Sequence, residues 1–188
     1  MNLLPDVFRS HIKAGLVGGL VYVARHKSDG IIGLAAWFGP GAELYTTPEQ
    51  CEAGFNKLMA DIAEKDPDMQ IWWTQYFLPK YGEFAKEALG GPEYKRDGWT
   101  LSMIGVKREY QRRGIGTEFI MLVEEKVRNE VEESARHMTV DTETDEALSF
   151  YLKVGFVERG RIEIEAEKKF NGSFRQVCLT KDVAAATS

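Results

Sequence analysis

Gln111-Arg112-Arg113-Gly114-Ile115-Gly116 turns a strand into a helix at a point where a phosphate would sit. Upstream, Trp99 to Val106 reads as a strand. Downstream, Ile115 to Val131 reads as an amphipathic helix, with Ile115, Phe119, Val123, Val127 and Val131 in one apolar line. Glycine lets a backbone approach an anion closely and take turn dihedrals that other residues resist. The first N–H groups of a helix are unpaired and carry the positive end of its dipole, which suits a pyrophosphate. Arg112 and Arg113 add charge-assisted donors beside it. The plain alternative is a tight strand–helix turn with solvated arginines.

Spacing favours the anion site. Val106, Gln111, Gly114 and Gly116 give V-x-x-x-x-Q-x-x-G-x-G, and Ala147-Leu148-Ser149-Phe150-Tyr151-Leu152-Lys153-Val154-Gly155-Phe156 gives A-x-x-F-Y-x-x-x-G-F. In this order the two segments resemble the acetyl-CoA motif and a later signature of the GNAT superfamily of N-acyltransferases. The resemblance implies a strand, Trp99–Val106, that splays from a parallel neighbour to admit the pantetheine arm. It assigns backbone contacts with the acetyl and pantetheine groups to Ile104, Gly105 and Val106, and the pyrophosphate to Gln111, Arg112, Arg113, Gly114, Ile115 and Gly116. It places Tyr151 near the coenzyme sulfur as the general acid. A phenol with a reference pKa of about 10 is protonated near neutral pH and can donate to a departing thiolate. Core packing of Ile104 and Val106, and a buried structural role for Tyr151, stand beside these readings.

An attacking ammonium must lose a proton before its nitrogen can attack. Asp141, Glu143 and Glu109 are candidate bases, each with an ordinary alternative as a surface or capping carboxylate; family members also use ordered water. Thr144 stands where the family frequently has asparagine, which weakens one expected polar contact to the coenzyme arm. A dinucleotide-binding reading is disfavoured because the fuller G-x-G-x-x-G fingerprint is absent at Gly114.

The 188 residues suit one domain, here expected over 1–181 with a flexible tail at 182–188. A hydrophobic fraction of 44% with 28% charged residues is ordinary for a soluble globular chain. The net charge of −5 argues against general nucleic-acid binding and is compatible with amine acceptors. Cys51 and Cys178 are too few and too far apart for a disulfide framework, and His11, His26 and His137 lack metal-ligand spacing, so no metal is expected. No secretory or membrane-spanning stretch stands out, which makes the cytoplasm the default, with the nucleus left open.

Along the chain, residues 6–14 read as a helix, and Leu20–Arg25 with Ile31–Phe38 as a hairpin. Thr47-Pro48-Glu49 starts a helix running to about Lys65. Met69–Leu89 reads as a second, aromatic-rich helix that Pro79 should kink or break. Its rings either pack on the sheet or line an acceptor pocket. Alternation places Trp99, Leu101, Met103 and Gly105 on one strand face and Thr100, Ser102, Ile104 and Val106 on the other, with Gly105 favouring a bulge or a close backbone approach. His137–Thr142, Asp145–Lys153 and two strands around an Asn171-Gly172 turn complete the pattern.

The expected fold is α/β: a mixed twisted sheet of the GNAT type with flanking helices, its first strand absent or replaced. The expected function is transfer of an acetyl group from acetyl-CoA to a small-molecule or protein primary amine, by direct attack in a ternary complex. The alternatives are a non-catalytic acyl-CoA-binding module and an interaction domain built on the aromatic insertion. No nucleic-acid or membrane partner is expected, and the oligomeric state is open.

Overall fold

The computed structural model describes residues 3–130 and 132–185. Val131, the last member of the expected apolar line, and residues 186–188 of the expected tail lie outside the described residues. Helix α1 (Leu4–Gly18) leads into the hairpin β1 (Leu20–His26) and β2 (Gly30–Phe38). The helix packs tightly on that hairpin: a Cβ at Gly15 would lie 3.1 Å from Val21 and 3.3 Å from Ala36.

Two long helical runs follow, each interrupted by a π turn. The first joins α2 (Pro48–Gln50) to α3 (Asn56–Lys65) through Cys51–Phe55, and Thr47 caps it by accepting from the Gln50 N–H at 3.3 Å. The second joins α4 (Pro67–Trp72) to α5 (Leu78–Leu89) through Trp73–Phe77. Asp66 caps it by accepting from the Met69 N–H at 3.3 Å. Pro79 therefore does not break the helix. It sits in the first turn of α5, just after the π turn, where a changed hydrogen-bond register absorbs its missing N–H.

The short helix α6 (Tyr94–Asp97) precedes the strand–helix units β3 (Trp99–Val106), α7 (Ile115–Arg128), β4 (His137–Thr142) and α8 (Asp145–Lys153). The strands β5 (Val157–Glu165) and β6 (Ser173–Asp182) close the chain around Asn171 and Gly172, both at positive φ. Asp182 ends β6, and Val183 is buried, its N–H donating to the Arg136 carbonyl at 2.9 Å. Ordered packing thus continues past residue 181.

The six strands form one sheet in the order β1-β2-β3-β4-β6-β5, antiparallel except for the parallel β3–β4 pair. Among the described residues β1 is an edge strand. On one face, Phe119, Ile120, Val123 and Val127 of α7 and Tyr151 of α8 pack against Trp37, Leu101 and Val140. The other face carries α1 and α5, whose Phe84 and Leu89 cover Cys178.

The alternation expected along β3 fails at one position. Ala36 pairs with Met103 but Trp37 pairs with Leu101, so Ser102 is the extra residue of a bulge. Beyond it the side chains change faces. Ile104 joins Trp99 and Leu101 toward α7, while Met103 turns with Ala36 toward α1. The bulge lies at Ser102 and not at Gly105.

Two glycines check this packing. A Cβ at Gly19 would lie 2.4 Å from the Trp37 carbonyl oxygen, which is backbone and cannot step aside. Gly19→Ala is expected to cost about 2 kcal/mol or more and lower the thermal midpoint. Gly82, inside α5, has open space around a Cβ, so Gly82→Ala should raise stability by roughly 0.5–1 kcal/mol. Chemical denaturation of both variants measures the contrast.

Candidate active site

Only three parallel pairs join β3 to β4: Trp99–Met138, Thr100–Thr139 and Leu101–Val140. Beyond Leu101 the strands diverge. β4 continues in register with β6 as far as Thr142, while β3 stays with β2 as far as Val106. The stretch from Ser102 to Val106 therefore has no strand partner on its β4 side, and Ile104 and Val106 turn backbone groups there, while Gly105 turns its own toward Leu34 of β2. Such groups need partners when they leave water, which makes the opening suited to an extended polar ligand.

Above the opening, Arg112 has φ 59° and Gly114 φ 85°, both in the left-handed region. Together they turn the chain into α7, whose N-terminus carries no side-chain cap. Its leading N–H groups thus remain available to an anion. The turn is braced internally. The Gln111 side-chain amide donates to the Val106 carbonyl at 3.0 Å, and Arg113 donates to the Glu109 carbonyl at 2.9 Å while lying over the Tyr110 ring. Tyr110 in turn bonds Asp29 in the β1–β2 turn. Arg112 is exposed with no partner among the described residues. A Cβ at Gly116 would meet Phe150 at 3.3 Å, so this glycine lets α8 approach α7.

Tyr151 is 5% exposed, packed edge-on against Phe156, and its hydroxyl bonds no other described residue. Burial, then the charges of Glu143 and Asp141, push its pKa well above the usual value. It holds its proton throughout the neutral range. Glu143 reaches solvent at the rim, yet burial of its carboxyl and the Asp141 charge raise its pKa above the ordinary glutamate value. Gln176 lies beside it. Glu109 is exposed on the turn before Gln111.

Asp141 is no surface carboxylate. Its Oδ2 accepts from Lys95 and, at 2.6 Å, from the Tyr81 hydroxyl. Burial works against both charges, but the Lys95 ammonium outweighs it and holds Asp141 below its ordinary pKa. Asp141 likewise raises Lys95. Asp141 Oδ1 is buried and, among the described residues, has only the Cys178 thiol beside it. Across the opening, His11 of α1 lies 3.2 Å from Ser102 Oγ through Nδ1, its pKa lowered by burial. Thr144 proves to be the N-cap of α8, accepting from the Ala147 N–H at 3.2 Å.

Sequence reasoning missed Lys95, Tyr81 and His11. Only the aromatic richness around Tyr81 signalled anything, and the partners of all three lie far away in the chain.

An acetyltransferase (GNAT) domain matches residues 47–172, more than half of the chain, and the chain belongs to this family. No curated protein matches by sequence. Among solved structures, the fold is similar to the histone acetyltransferase HPA2 and related acetyltransferase of Corynebacterium glutamicum: TM-score 0.53, 18% identity, 99% of this chain and 77% of that one. It is also similar to a ribosomal-protein alanine N-acetyltransferase of Escherichia coli: TM-score 0.50, 12% identity, 98% and 90%. A protein of Bacillus anthracis assigned as a streptothricin acetyltransferase, solved with acetyl coenzyme A, aligns at TM-score 0.45 and 14% identity over 86% of this chain. The chain spans 61% of that structure's length. No helix is long and apolar enough to cross a membrane among the described residues.

The buried pair gives a stability test. Lys95→Met would leave the Asp141 charge without its cation, at a cost of about 3–5 kcal/mol. Because the folded pKa of Asp141 is depressed, its contribution is complete above the unfolded carboxylate pKa and lost as pH falls below it. Thermal unfolding between pH 2 and 7 should show that acid-side loss in the parent chain.

Proposed function

We propose that the chain is an N-acetyltransferase that moves the acetyl group of acetyl-CoA to a primary amine by direct attack in a ternary complex. The observation that carries this reading is the β3–β4 divergence, lying between the uncapped N-terminus of α7 and the free hydroxyl of Tyr151. The donor's pyrophosphate would meet the N–H groups of Gly114, Ile115 and Gly116, with Arg112 beside them. Gln111 and Arg113 shape that loop through their bonds to Val106 and Glu109. The pantetheine arm would add its amides to the free edge of β3 at Ile104 and Val106.

The amine nitrogen attacks the thioester carbonyl carbon, the carbon–sulfur bond breaks, and the thiolate takes the Tyr151 proton. Loss of the extra proton from the new amide nitrogen restores the phenol. This assignment is supported by the surroundings of Tyr151, where burial, then the charges of Glu143 and Asp141, keep the phenol protonated. Direct transfer is supported by the two sides of the opening: one carries the phosphate loop, and the other faces α1 and α5.

Acetyl-CoA should raise the melting temperature, since a ligand bound only by the folded state stabilises it by mass action. Arg112→Ala is expected to weaken acetyl-CoA by roughly threefold to tenfold at low salt, and less at high salt. Tyr151→Phe should keep that affinity while lowering kcat by about a hundredfold. Thiol release under chemistry-limited conditions measures this, and an unchanged kcat would remove Tyr151 as the acid.

A further inference from the structure

Half-buried aromatic rings form a row beside β6 that ends at Tyr81, whose hydroxyl reaches Asp141 of β4. Trp72 stacks on Phe77 with centroids 5.3 Å apart and planes at 11°, and Phe77 stacks on Tyr81 at 6.0 Å and 19°. Phe174 of β6 packs against Trp72 and Phe77. The row spans the π turn Trp73–Phe77, a local geometry enriched at functional sites. Its outer end opens on an apolar cavity of about 410 Å³ lined by Val7, Met69, Trp73 and Phe170. Its inner end is polar, because the Tyr81 hydroxyl is bonded to Asp141.

The sheet surface beneath has the same gradient. Phe174, Gln176 and Cys178 alternate onto one face of β6, and Cys178 is the direct partner of Asp141. Moving inward, the surface passes from an aromatic ring to an amide and then to carboxylates. Among the described residues, two buried acceptors at the inner end lack a hydrogen bond of ordinary geometry: Asp141 Oδ1, beside the Cys178 thiol, and Gln176 Oε1, the latter on a side chain 3% exposed. Buried acceptors without donors are rare in folded proteins and call for a donor-bearing group. An ammonium group offers three donors.

We infer that the acceptor is a primary amine on an apolar, aromatic arm, which lies along Trp72, Phe77 and Tyr81 against Phe174 while its ammonium ends among Glu143, Asp141 Oδ1 and Gln176 Oε1. Glu143 takes the ammonium proton, leaving the nitrogen lone pair free to attack; the proton then passes to water. The inference rests on the acetyltransferase reading and names its acceptor class. Asp141 is already paired with Lys95, so its charge is largely committed, and Glu143 is the free carboxylate of the cluster. The groups facing Glu143 are Asp141 on β4, Gln176 on β6 and Tyr151 on α8; Lys95, Tyr81 and Cys178 act on it through Asp141. His11 stands on the β3 side and is held toward its neutral form by burial. With the raised pKa of Glu143, the basic form is lost at a higher pH than for an exposed glutamate, so the rate falls on the acid side.

The test compares phenethylamine and tryptamine with a plain alkylamine, spermidine, an aminosugar and a lysine-containing peptide, following thiol release with saturating acetyl-CoA. The arylalkylamines should have kcat/KM at least tenfold above spermidine, the aminosugar and the peptide. Phe77→Ala and Phe174→Ala should each raise KM for tryptamine about tenfold while leaving the acetyl-CoA-induced melting shift unchanged. Glu143→Gln should lower kcat and flatten the acid limb of the pH–rate profile. Preference for the peptide, spermidine or the aminosugar would overturn the aromatic-arm acceptor while leaving acetyl transfer standing. An acid limb unchanged in Glu143→Gln would overturn the base. Absence of any acetyl-CoA melting shift would overturn both the inference and the reading beneath it.

Discussion

Three parallel pairs hold β3 to β4, and the rest of the molecule is organised around the absence of a fourth. A sheet that stops pairing in its own middle leaves peptide groups without partners, a state that folded proteins tolerate only where water, a side chain or a ligand takes over. Here each flanking strand keeps its outer neighbour, so the opening costs no loss of the sheet as a whole: β2 holds β3 and β6 holds β4. The result is a gap with rigid edges. Helices α7 and α8 border it on one face, and α1 and α5 on the other, so a donor and an acceptor can reach it from opposite sides.

The bulge at Ser102 is the device that makes the edge of β3 usable. Without it, Ile104 would point toward α1 and Met103 would follow Trp99 and Leu101 toward α7. With it, Ile104 closes the core under α7, and Met103 turns toward α1. His11 then meets Ser102 at the extra residue, tying α1 to the point where the strands part. One inserted residue thus sets the side-chain directions, the position of the gap and the docking of the N-terminal helix.

Much of this was legible in the residues. The bend at Gln111–Gly116, the helix from Asp145 and the hairpin around Lys27–Gly30 all carry local chemistry: turn glycines and apolar periodicity. What stayed hidden depends on distant partners. Lys95 sits in Glu93-Tyr94-Lys95-Arg96-Asp97, which reads as a solvated turn, and only the return of β4 brings Asp141 to it. Ser102 carries no mark of a bulge, because a serine inside a strand fits the pleat equally well. Pro79 misled for a related reason. Its missing N–H is a local fact, but the π turn that absorbs it spans the preceding residues.

The Lys95–Asp141 pair needs a reason beyond stability, since an apolar pair of the same volume is often at least as stable in such a setting. Its place beside Glu143 and Tyr151 supplies one. Were Asp141 left without Lys95, burial would drive it to protonate, and the negative charge near Glu143 would vanish with pH. Were it replaced by an apolar residue, Glu143 would lose the neighbour that, after burial, raises its proton affinity. Lys95 therefore keeps Asp141 ionised over the range in which Glu143, as the proposed base, would accept a proton. The Tyr81 hydroxyl joins that fixed charge to the aromatic row, so the group that would tune the proposed base also anchors the wall along which the acceptor would lie.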